Sequence, residues 1–243
     1  MTTILQVTYW AAEAHSKQKR VTGGAYINHP IRVARMLEKN LQPFPDDDIV
    51  KAALLHDVLE DTDWTEEDLL TRMGITGNRV IRWVNKLTDN PLLRGEAKHR
   101  HTCEKIEHSD PEVKLIKLAD MIDNNLSYPS HWDKDEGRRL KHFRLRCFNL
   151  WLACTNTTEY LPMDFFKRSL LSCLLAGRAT SQQELVQASL SSLDGNNNLA
   201  IDLFADAIGL NTDEVKSLKK GDYVYREPKR RKEETSGTSG RDS

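Results

Sequence analysis

Apolar residues recur every three or four positions along most of the chain up to Gly177, whereas the two-residue alternation of β-strands is almost absent. Near the N-terminus, Leu5, Tyr9 and Ala12 share one predicted helical face, and residues 49–59 form the most apolar predicted helix. Further stripes with this spacing are Val33, Ala34 and Leu37, then Val80, Val84 and Leu87, then Val113, Ile116 and Ala119. The pattern predicts an all-α fold, a helical bundle with residues 49–59 near its centre.

Residues typical of helix starts precede several of these stripes. Thr65 stands before three consecutive acidic residues, whose charge suits the positive end of the helix dipole. Pro30 and Pro111 each fall at the beginning of a stripe, where the missing N–H of proline costs nothing. The sequence therefore predicts helices that begin near these three positions.

The chain divides into three parts that differ in composition and in apolar pattern. Residues 1–177 carry the long apolar stripes, and residues 178–225 form a small appendage with short predicted helices at 199–208 and 212–220. These two have the length of a helix-turn-helix, but a packing appendage or a dimer contact is the favoured interpretation. Residues 226–243 are polar, rich in Gly and Ser and without apolar side chains, so a disordered tail is expected there.

Composition narrows the class of protein. The 243 residues include 35 Lys and Arg against 36 Asp and Glu, a net charge of −1, which argues against a dedicated nucleic-acid binder. No apolar run approaches the roughly 18 residues of a membrane span, and the N-terminus lacks the pattern of a signal peptide. No membrane partner is expected. The sequence leaves open whether the chain forms a homo-oligomer.

The four cysteines form no Cys-x-x-Cys pair and lie within apolar helical patterns. They are Cys103, Cys147, Cys154 and Cys173. Such cysteines are typical of reduced, buried thiols, so we expect a cytoplasmic protein.

Four adjacent ionisable side chains interrupt the most apolar predicted helix. His56 and Glu60 are four residues apart, as are Asp57 and Asp61, so on a continuous helix they cover neighbouring sectors of one face. Unpaired charges at the centre of a bundle are costly, and a bound cation would offset them. The simpler interpretation is an amphipathic helix whose polar edge faces water.

Two further positions can complete a set of metal ligands. His29 precedes Pro30, which fixes the backbone at a predicted helix start, although a capping or core histidine is the simpler interpretation for His29 alone. Asp120 stands on the stripe that buries Ile116 and Ala119, and such a carboxylate needs a partner, either a metal ion or an arginine.

Together, two histidines and two carboxylates from three predicted helices make a mixed nitrogen and oxygen ligand set. Their residues are His29, His56, Asp57 and Asp120. Such a set suits Mn²⁺, Fe²⁺ or Co²⁺, with Zn²⁺ as a further candidate. Four protein ligands leave positions of an octahedral ion for water and substrate, an arrangement that supports metal-assisted hydrolysis.

In this order and spacing, the residues resemble the metal signature of HD-domain phosphohydrolases. The sequence motifs around them make the resemblance more specific. They are Gly24 to Pro30 (GAYINHP), Ala53 to Thr62 (ALLHDVLEDT) and Lys117 to Asp120 (KLAD), preceded by Ala14-His15 and Arg20. They are similar to the hydrolase domain of the RelA/SpoT homologue family in its short, single-domain form. The resemblance covers about residues 1–157, within the part of the chain assigned to the HD-type domain, residues 1–177.

The resemblance implies a function and roles for individual residues. Members of this family remove the 3′-pyrophosphate of guanosine tetra- and pentaphosphate, the alarmones of the stringent response, with Mn²⁺. Carried over by position, the metal ligands are His29, His56, Asp57 and Asp120; Glu60 and Asp61 orient or deprotonate the attacking water; Arg20 meets a substrate phosphate or stacks on the base; and Asn124 binds the ribose or base.

Departures from the family pattern lie on the substrate side and not at the metal. Val21 stands where the family has a second basic residue, Met121 replaces an arginine, and residues 125–127 differ from the usual run after the asparagine. Two alternatives therefore stay open: a phosphatase of NADPH or another nucleotide, and a non-catalytic nucleotide sensor that signals through residues 178–225.

Overall fold

The computed structural model describes residues 2–21, 23–41 and 46–126, together with 143, 146, 147, 149–151, 153 and 154. Within them the chain is helical and contains no β-strand; a single isolated antiparallel bridge joins Lys19 and Ala25. The all-α prediction is confirmed for these residues. The predicted appendage at 178–225 and the tail at 226–243 lie outside the described residues, so both stay predictions.

Eight α-helices and a short 3₁₀ turn are bounded within the described part of the chain. They are α1 (Ile4–Ala14), α2 (Asn28–Asn40), α3 (Asp47–Leu55), α4 (Val58–Asp61), α5 (Glu66–Met73), the 3₁₀ turn Ile75–Gly77, α6 (Asn78–Leu87), α7 (Gly95–Glu107) and α8 (Pro111–Leu126). Among these helices, none is both long enough and apolar enough to cross a lipid bilayer.

Helix α3 is the centre of the bundle. Every residue from Ile49 to Leu55 is buried, and α3 packs against α1, α2, α6 and α8. Helix α2 in turn packs against both α3 and α8. The three segments that carry the predicted metal ligands are therefore packed together around one apolar core.

The predicted helix starts are confirmed. Thr65 caps α5: its Oγ1 accepts the N–H of Asp68, and the Asp68 carboxylate accepts the N–H of Thr65. Helix α8 begins at Pro111, and Pro30 lies in the first turn of α2. Thr3 and Gln6 form a second reciprocal cap at the start of α1, which the sequence pattern did not single out.

The predicted helix over residues 49–59 is wrong in one respect, because it is not continuous. Helix α3 ends at Leu55, His56 and Asp57 form a turn, and α4 begins at Val58. At this turn the two side chains approach each other, with Nε2 of His56 3.1 Å from Oδ2 of Asp57.

The buried face of α1 also differs from the prediction. Leu5 and Tyr9 are 79% and 68% exposed, whereas Val7 and Ala11 are completely buried. Helix α1 has apolar residues on two faces, and the face with Val7 and Ala11 packs against α3, with Ile4 at its edge. Periodicity alone cannot choose between two apolar faces, so only packing decided which one is buried.

Cys103, Cys147 and Cys154 are buried, and the described residues contain no disulfide. Burial raises the pKa of the Cys103 thiol to about 12, and it also raises the pKa of Cys154, so both stay protonated at neutral pH. The expectation of reduced, buried thiols is confirmed for these three, and Cys173 lies outside the described residues.

The two faces of α1 give different expected stabilities. Val7→Ala should lower the free energy of unfolding by about 2 kcal/mol, because it removes buried methyl groups and leaves a cavity. Leu5→Ala should change it by less than about 0.5 kcal/mol, because Leu5 faces solvent. Urea unfolding of both variants checks this, and equal losses would contradict the assignment of the buried face.

Candidate metal centre

Four side chains from three helical segments meet inside the bundle. His29 is the second residue of α2, His56 and Asp57 lie between α3 and α4, and Asp120 lies within α8. Nε2 of His29 is 3.1 Å from Oδ1 of Asp120 and 3.4 Å from Oδ2 of Asp57. Nε2 of His56 is 3.1 Å from Asp57 Oδ2 and 3.6 Å from Asp120 Oδ1. The fold thus brings all four predicted ligands into one cluster.

Both histidines present an unpaired ring nitrogen to this cluster. Their Nε2 atoms are buried and make no hydrogen bond. The other ring nitrogen of each has an acceptor: Nδ1 of His29 is 2.6 Å from Oδ2 of Asp123, and Nδ1 of His56 is 2.8 Å from the carbonyl oxygen of Ala53. These acceptors hold a proton on Nδ1, so Nε2 is the ring nitrogen that can offer a lone pair to a cation once it has lost its own proton.

The cluster fits a divalent cation. One ligand atom from each of His29, His56 and Asp57 lies within 4.8 Å of the others, and Oδ1 of Asp120 lies beside both Nε2 atoms. Buried lone pairs and carboxylates are costly unless a cation or a donor satisfies them. Two imidazoles and two carboxylates are a donor set that suits divalent transition metals.

Protons compete with a cation for the two histidines. Burial opposes a charge on His29, but the surrounding carboxylates, Asp120 foremost, outweigh it and raise its pKa to about 11. Burial also opposes a charge on His56, but the nearby carboxylates of Asp57 and Asp120 raise its pKa to about 9. A cation at the centre must therefore displace protons that the carboxylates favour.

Asp120 stays ionised although it is only 4% exposed. Burial opposes its charge, but the ammonium of Lys117, with Nζ 2.8 Å from Oδ2, holds the pKa of Asp120 well below its usual range. Its Oδ1 accepts a hydrogen bond from Nδ2 of Asn124 at 2.6 Å. Both partners lie within one turn of Asp120 on α8, so residues of α8 itself orient this carboxylate and keep it ionised.

Glu60 and Asp61, the predicted proton acceptors, face different surroundings. The hydroxyl of Tyr26 lies 2.6 Å from Oδ2 of Asp61 and 2.8 Å from Oδ2 of Asp57, so Asp61 sits beside the cluster. Asp61 is exposed, but partial desolvation beside the cluster raises its pKa, which makes its carboxylate a better proton acceptor. Glu60 is bound from α7 by Nζ of Lys98 at 2.9 Å, and its other oxygen accepts the backbone N–H of Asp89 at 3.1 Å.

Arg20 and Asn124, the predicted substrate residues, are in contact. Nη2 of Arg20 donates to Oδ1 of Asn124 at 2.8 Å, and Asn124 in turn donates to Asp120. The Arg20 guanidinium also lies 5.6 Å from the ring centre of Tyr26. The structure therefore places both predicted substrate residues next to the cluster, linked to it through Asp120.

Sequence reasoning missed the partners of the ligands. These partners are the Tyr26 hydroxyl, which donates to Asp57 and Asp61; the Lys117 ammonium, which keeps Asp120 ionised; and the Asp123 carboxylate, which accepts a hydrogen bond from Nδ1 of His29. Their spacing carried a signal, because Tyr26 is three residues before His29, whereas Lys117 and Asp123 are three before and three after Asp120. Polar residues one helical turn from a ligand share its face and can reach it.

Comparison with known proteins identifies close similarities. The HD domain family profile matches residues 8–151. The guanosine-3′,5′-bis(diphosphate) 3′-pyrophosphohydrolase MESH1 of Danio rerio is 38% identical over 135 residues, which span 53% of this chain and 73% of that protein. The protein of the same name from Drosophila melanogaster is 33% identical over 182 residues, or 69% of this chain and 95% of that protein.

The fold resembles a solved structure as well. A structure reported as a metazoan ortholog of SpoT that hydrolyzes ppGpp and plays a role in starvation responses matches with a TM-score of 0.59 and 28% sequence identity. The match covers 70% of this chain and 94% of that one. Sequence and fold therefore point to the same group of proteins.

Binding of a divalent ion should strengthen as the pH rises. The pKa values of His29 and His56 lie above the usual 6.5, at about 11 and about 9, so both rings carry protons at neutral pH that the ion must displace. Between about pH 6.5 and about pH 8.5 the apparent affinity should rise roughly tenfold per pH unit for each proton displaced. Titrating metal-free protein with Mn²⁺ against a chelator at several pH values measures this. A pH-independent affinity would show that these histidines are not ligands, and His108→Gln, at an exposed histidine, is the control.

Proposed function

Because this chain belongs to the HD-domain family and groups within it with the MESH1 proteins, we propose that it is a metal-dependent phosphohydrolase that removes the 3′-pyrophosphate of guanosine-3′,5′-bis(diphosphate). The products are GDP and pyrophosphate. The observation that carries the proposal is the pair of buried, unpaired Nε2 atoms of His29 and His56 facing two carboxylates. The names of its relatives support the choice of nucleotide.

The four clustered side chains are proposed to hold the metal ion, with Mn²⁺ as the first candidate and Fe²⁺, Co²⁺ or Zn²⁺ as the others. They are His29, His56, Asp57 and Asp120. A bound divalent cation supplies Lewis acidity at the scissile phosphate and a charge that attracts the phosphate oxygens. Asp57 and Asp120 contribute negative charge that favours the ion, while the two imidazoles direct their lone pairs to it.

Asp61 and Glu60 are proposed to orient and deprotonate the attacking water. The position of Asp61 supports this role, because Tyr26 fixes its carboxylate next to Asp57, and partial desolvation raises its pKa. Glu60 lies one residue earlier, with its two oxygens held by Lys98 and by the N–H of Asp89. A carboxylate held by two donors keeps a fixed direction, which suits the orientation of a water molecule.

Arg20 and Asn124 are proposed to bind the nucleotide. The guanidinium of Arg20 is half-buried, and it can exchange its hydrogen bond with Asn124 for a substrate phosphate, which it binds more strongly. Asn124 then has an amide oxygen to offer to the ribose or the base. Since Asn124 also contacts Asp120, nucleotide binding would take place at the edge of the metal centre.

A cytoplasmic location belongs to the same proposal. The buried thiols at Cys103 and Cys154 without a disulfide support it, because cytoplasmic proteins keep such cysteines reduced.

The choice of substrate predicts which product is released. With Mn²⁺, the unmodified chain should release pyrophosphate from guanosine-3′,5′-bis(diphosphate) and leave GTP intact, because the reaction takes place at the 3′ end. Separate assays of pyrophosphate and orthophosphate over a nucleotide panel measure this, with His56→Ala as the control that lacks a metal ligand. Release of orthophosphate from NADPH with a higher kcat/KM would instead favour the alternative of an NADPH phosphatase. NADPH belongs in the panel because Val21 and Met121 stand where the family has basic residues on the substrate side.

Glu60→Gln and Asp61→Asn should separate chemistry from binding. Each keeps the side-chain volume but removes a proton acceptor, so the single-turnover rate should fall by about 10²–10⁴-fold. Metal content and nucleotide Kd should change by less than about tenfold, because the four ligands and Arg20 remain.

Lys98→Met is the matched control for Glu60→Gln, because it removes the ion pair between Lys98 and Glu60 but keeps the carboxylate. Its rate should fall far less than that of Glu60→Gln. Equal rate losses in the two variants would assign the effect to the ion pair, and loss of metal in either carboxylate variant would make that residue a ligand.

A further inference from the structure

The two histidines of the metal centre have different acceptors at Nδ1. His56 donates to a neutral backbone carbonyl, that of Ala53. His29 has the carboxylate of Asp123 instead, with a separation of 2.6 Å between Nδ1 and Oδ2. A charged acceptor makes a stronger hydrogen bond, fixes the ring direction more firmly and makes Nε2 a better donor to a metal ion.

Asp123 is itself buried, with its side chain 5% exposed. Among the described residues, its carboxylate forms an ion pair with one cationic side chain besides His29, that of Arg32. Nε of Arg32 is 2.6 Å from Oδ1 of Asp123, and Nη2 of Arg32 is 2.9 Å from Oδ2. This two-point geometry holds the plane of the carboxylate as well as its charge. Hydrogen bonds with His29 and Arg32 keep the pKa of Asp123 below its usual range although burial opposes its ionisation.

The pair joins the same two helices that carry metal ligands. Arg32 follows His29 by three residues on α2, and Asp123 follows Asp120 by three residues on α8. A contact between Arg32 and Asp123 therefore lies one helical turn away from the contact between His29 and Asp120. The pair fixes both the direction of the His29 ring and the relative position of the two helices at the centre.

We propose that Asp123 and Arg32 are positioning residues for the metal ligand His29: Asp123 holds its Nδ1 proton and ring direction, and Arg32 holds Asp123. The proposal rests on the proposed function only in taking His29 as a ligand. In this proposal both residues act through His29 and are not themselves ligands. Their effect is on the affinity of the centre for its metal ion.

A purely structural pair would behave differently. If Arg32 and Asp123 only joined α2 to α8, their removal would lower thermal stability and leave the metal affinity of the folded protein unchanged. If Arg32 acted only through its charge, its removal would strengthen the binding of a divalent cation, because one nearby positive charge is lost. A positioning role predicts the opposite sign, weaker binding without Arg32.

The test measures Mn²⁺ Kd on the metal-free full chain, by chelator competition and without nucleotide. Asp123→Asn keeps the shape of the side chain but makes the acceptor neutral, so the Kd should rise about ten- to hundredfold. Arg32→Gln should raise it by a smaller factor. In the double variant, Arg32→Gln should add less than about twofold to Asp123→Asn, because Arg32 acts through Asp123.

Arg35→Gln is the matched control, since Arg35 is an exposed cation one turn further along α2 and its removal should leave the Kd unchanged. Thermal unfolding of each metal-free variant separates lost folding from lost affinity. Because the Arg32 side chain is 42% exposed, Arg32→Gln keeps the test decisive even if Asp123→Asn does not fold.

A Kd within about twofold of the unmodified chain for Asp123→Asn, or tighter binding by Arg32→Gln, would overturn the proposal. Additive effects in the double variant would overturn the part that places Arg32 behind Asp123. Normal Mn²⁺ binding without pyrophosphate release would contradict the proposed hydrolysis and leave the positioning pair standing.

Discussion

Charge buried at the centre of an apolar bundle is the constraint on which the rest of this structure depends. Asp120 and Asp123 are buried beside the core built around α3, and Asp57 is partly buried next to them; an unpaired carboxylate in such surroundings costs several kcal/mol. Lys117 and Arg32 offset two of these charges directly. The charge of Asp57 faces the two Nε2 atoms, where either protons on the imidazoles or a divalent cation can compensate it.

Each ligand is held by a partner that lies within one helical turn of a ligand. Tyr26 precedes His29 by three residues and contacts Asp57, while Lys117 and Asp123 flank Asp120 on α8. Lys117 and Asp123 belong to α8 itself, and Tyr26 lies in the turn just before α2, so these partners hold the candidate ligands in fixed directions. The packing of α2, α3 and α8 during folding therefore offsets the free-energy cost of bringing these side chains together.

The proposed metal ligands and the proposed nucleotide-binding residues are connected by hydrogen bonds. Asp120 faces the histidines with the same oxygen that accepts the amide of Asn124, and Asn124 accepts from Arg20. A nucleotide phosphate that takes Arg20 away from Asn124 would therefore alter a hydrogen bond of a metal ligand. Asp61 is linked to the cluster through Tyr26, whereas Lys98 of α7 holds the carboxylate of Glu60.

The sequence by itself determined the helical class, the helix starts and the choice of His29, His56, Asp57 and Asp120 as candidate ligands. Periodicity and capping are local properties, and a polar residue on an apolar stripe marks a buried partner, so Thr65, His29 and Asp120 could be interpreted without a fold. The family resemblance added the functions of these residues, and the match to the HD domain family confirmed the family.

Packing decided the rest. Helix α1 has two apolar faces, and only its contact with α3 selected Val7 and Ala11 over Leu5 and Tyr9. The break between α3 and α4 could not be predicted from the apolar run, because the apolar pattern continues on both sides of His56 and Asp57. The contact of Arg32 with Asp123, 91 residues apart, exists only because α2 and α8 are neighbours, and long-range neighbours are chosen by the whole core and not by local sequence.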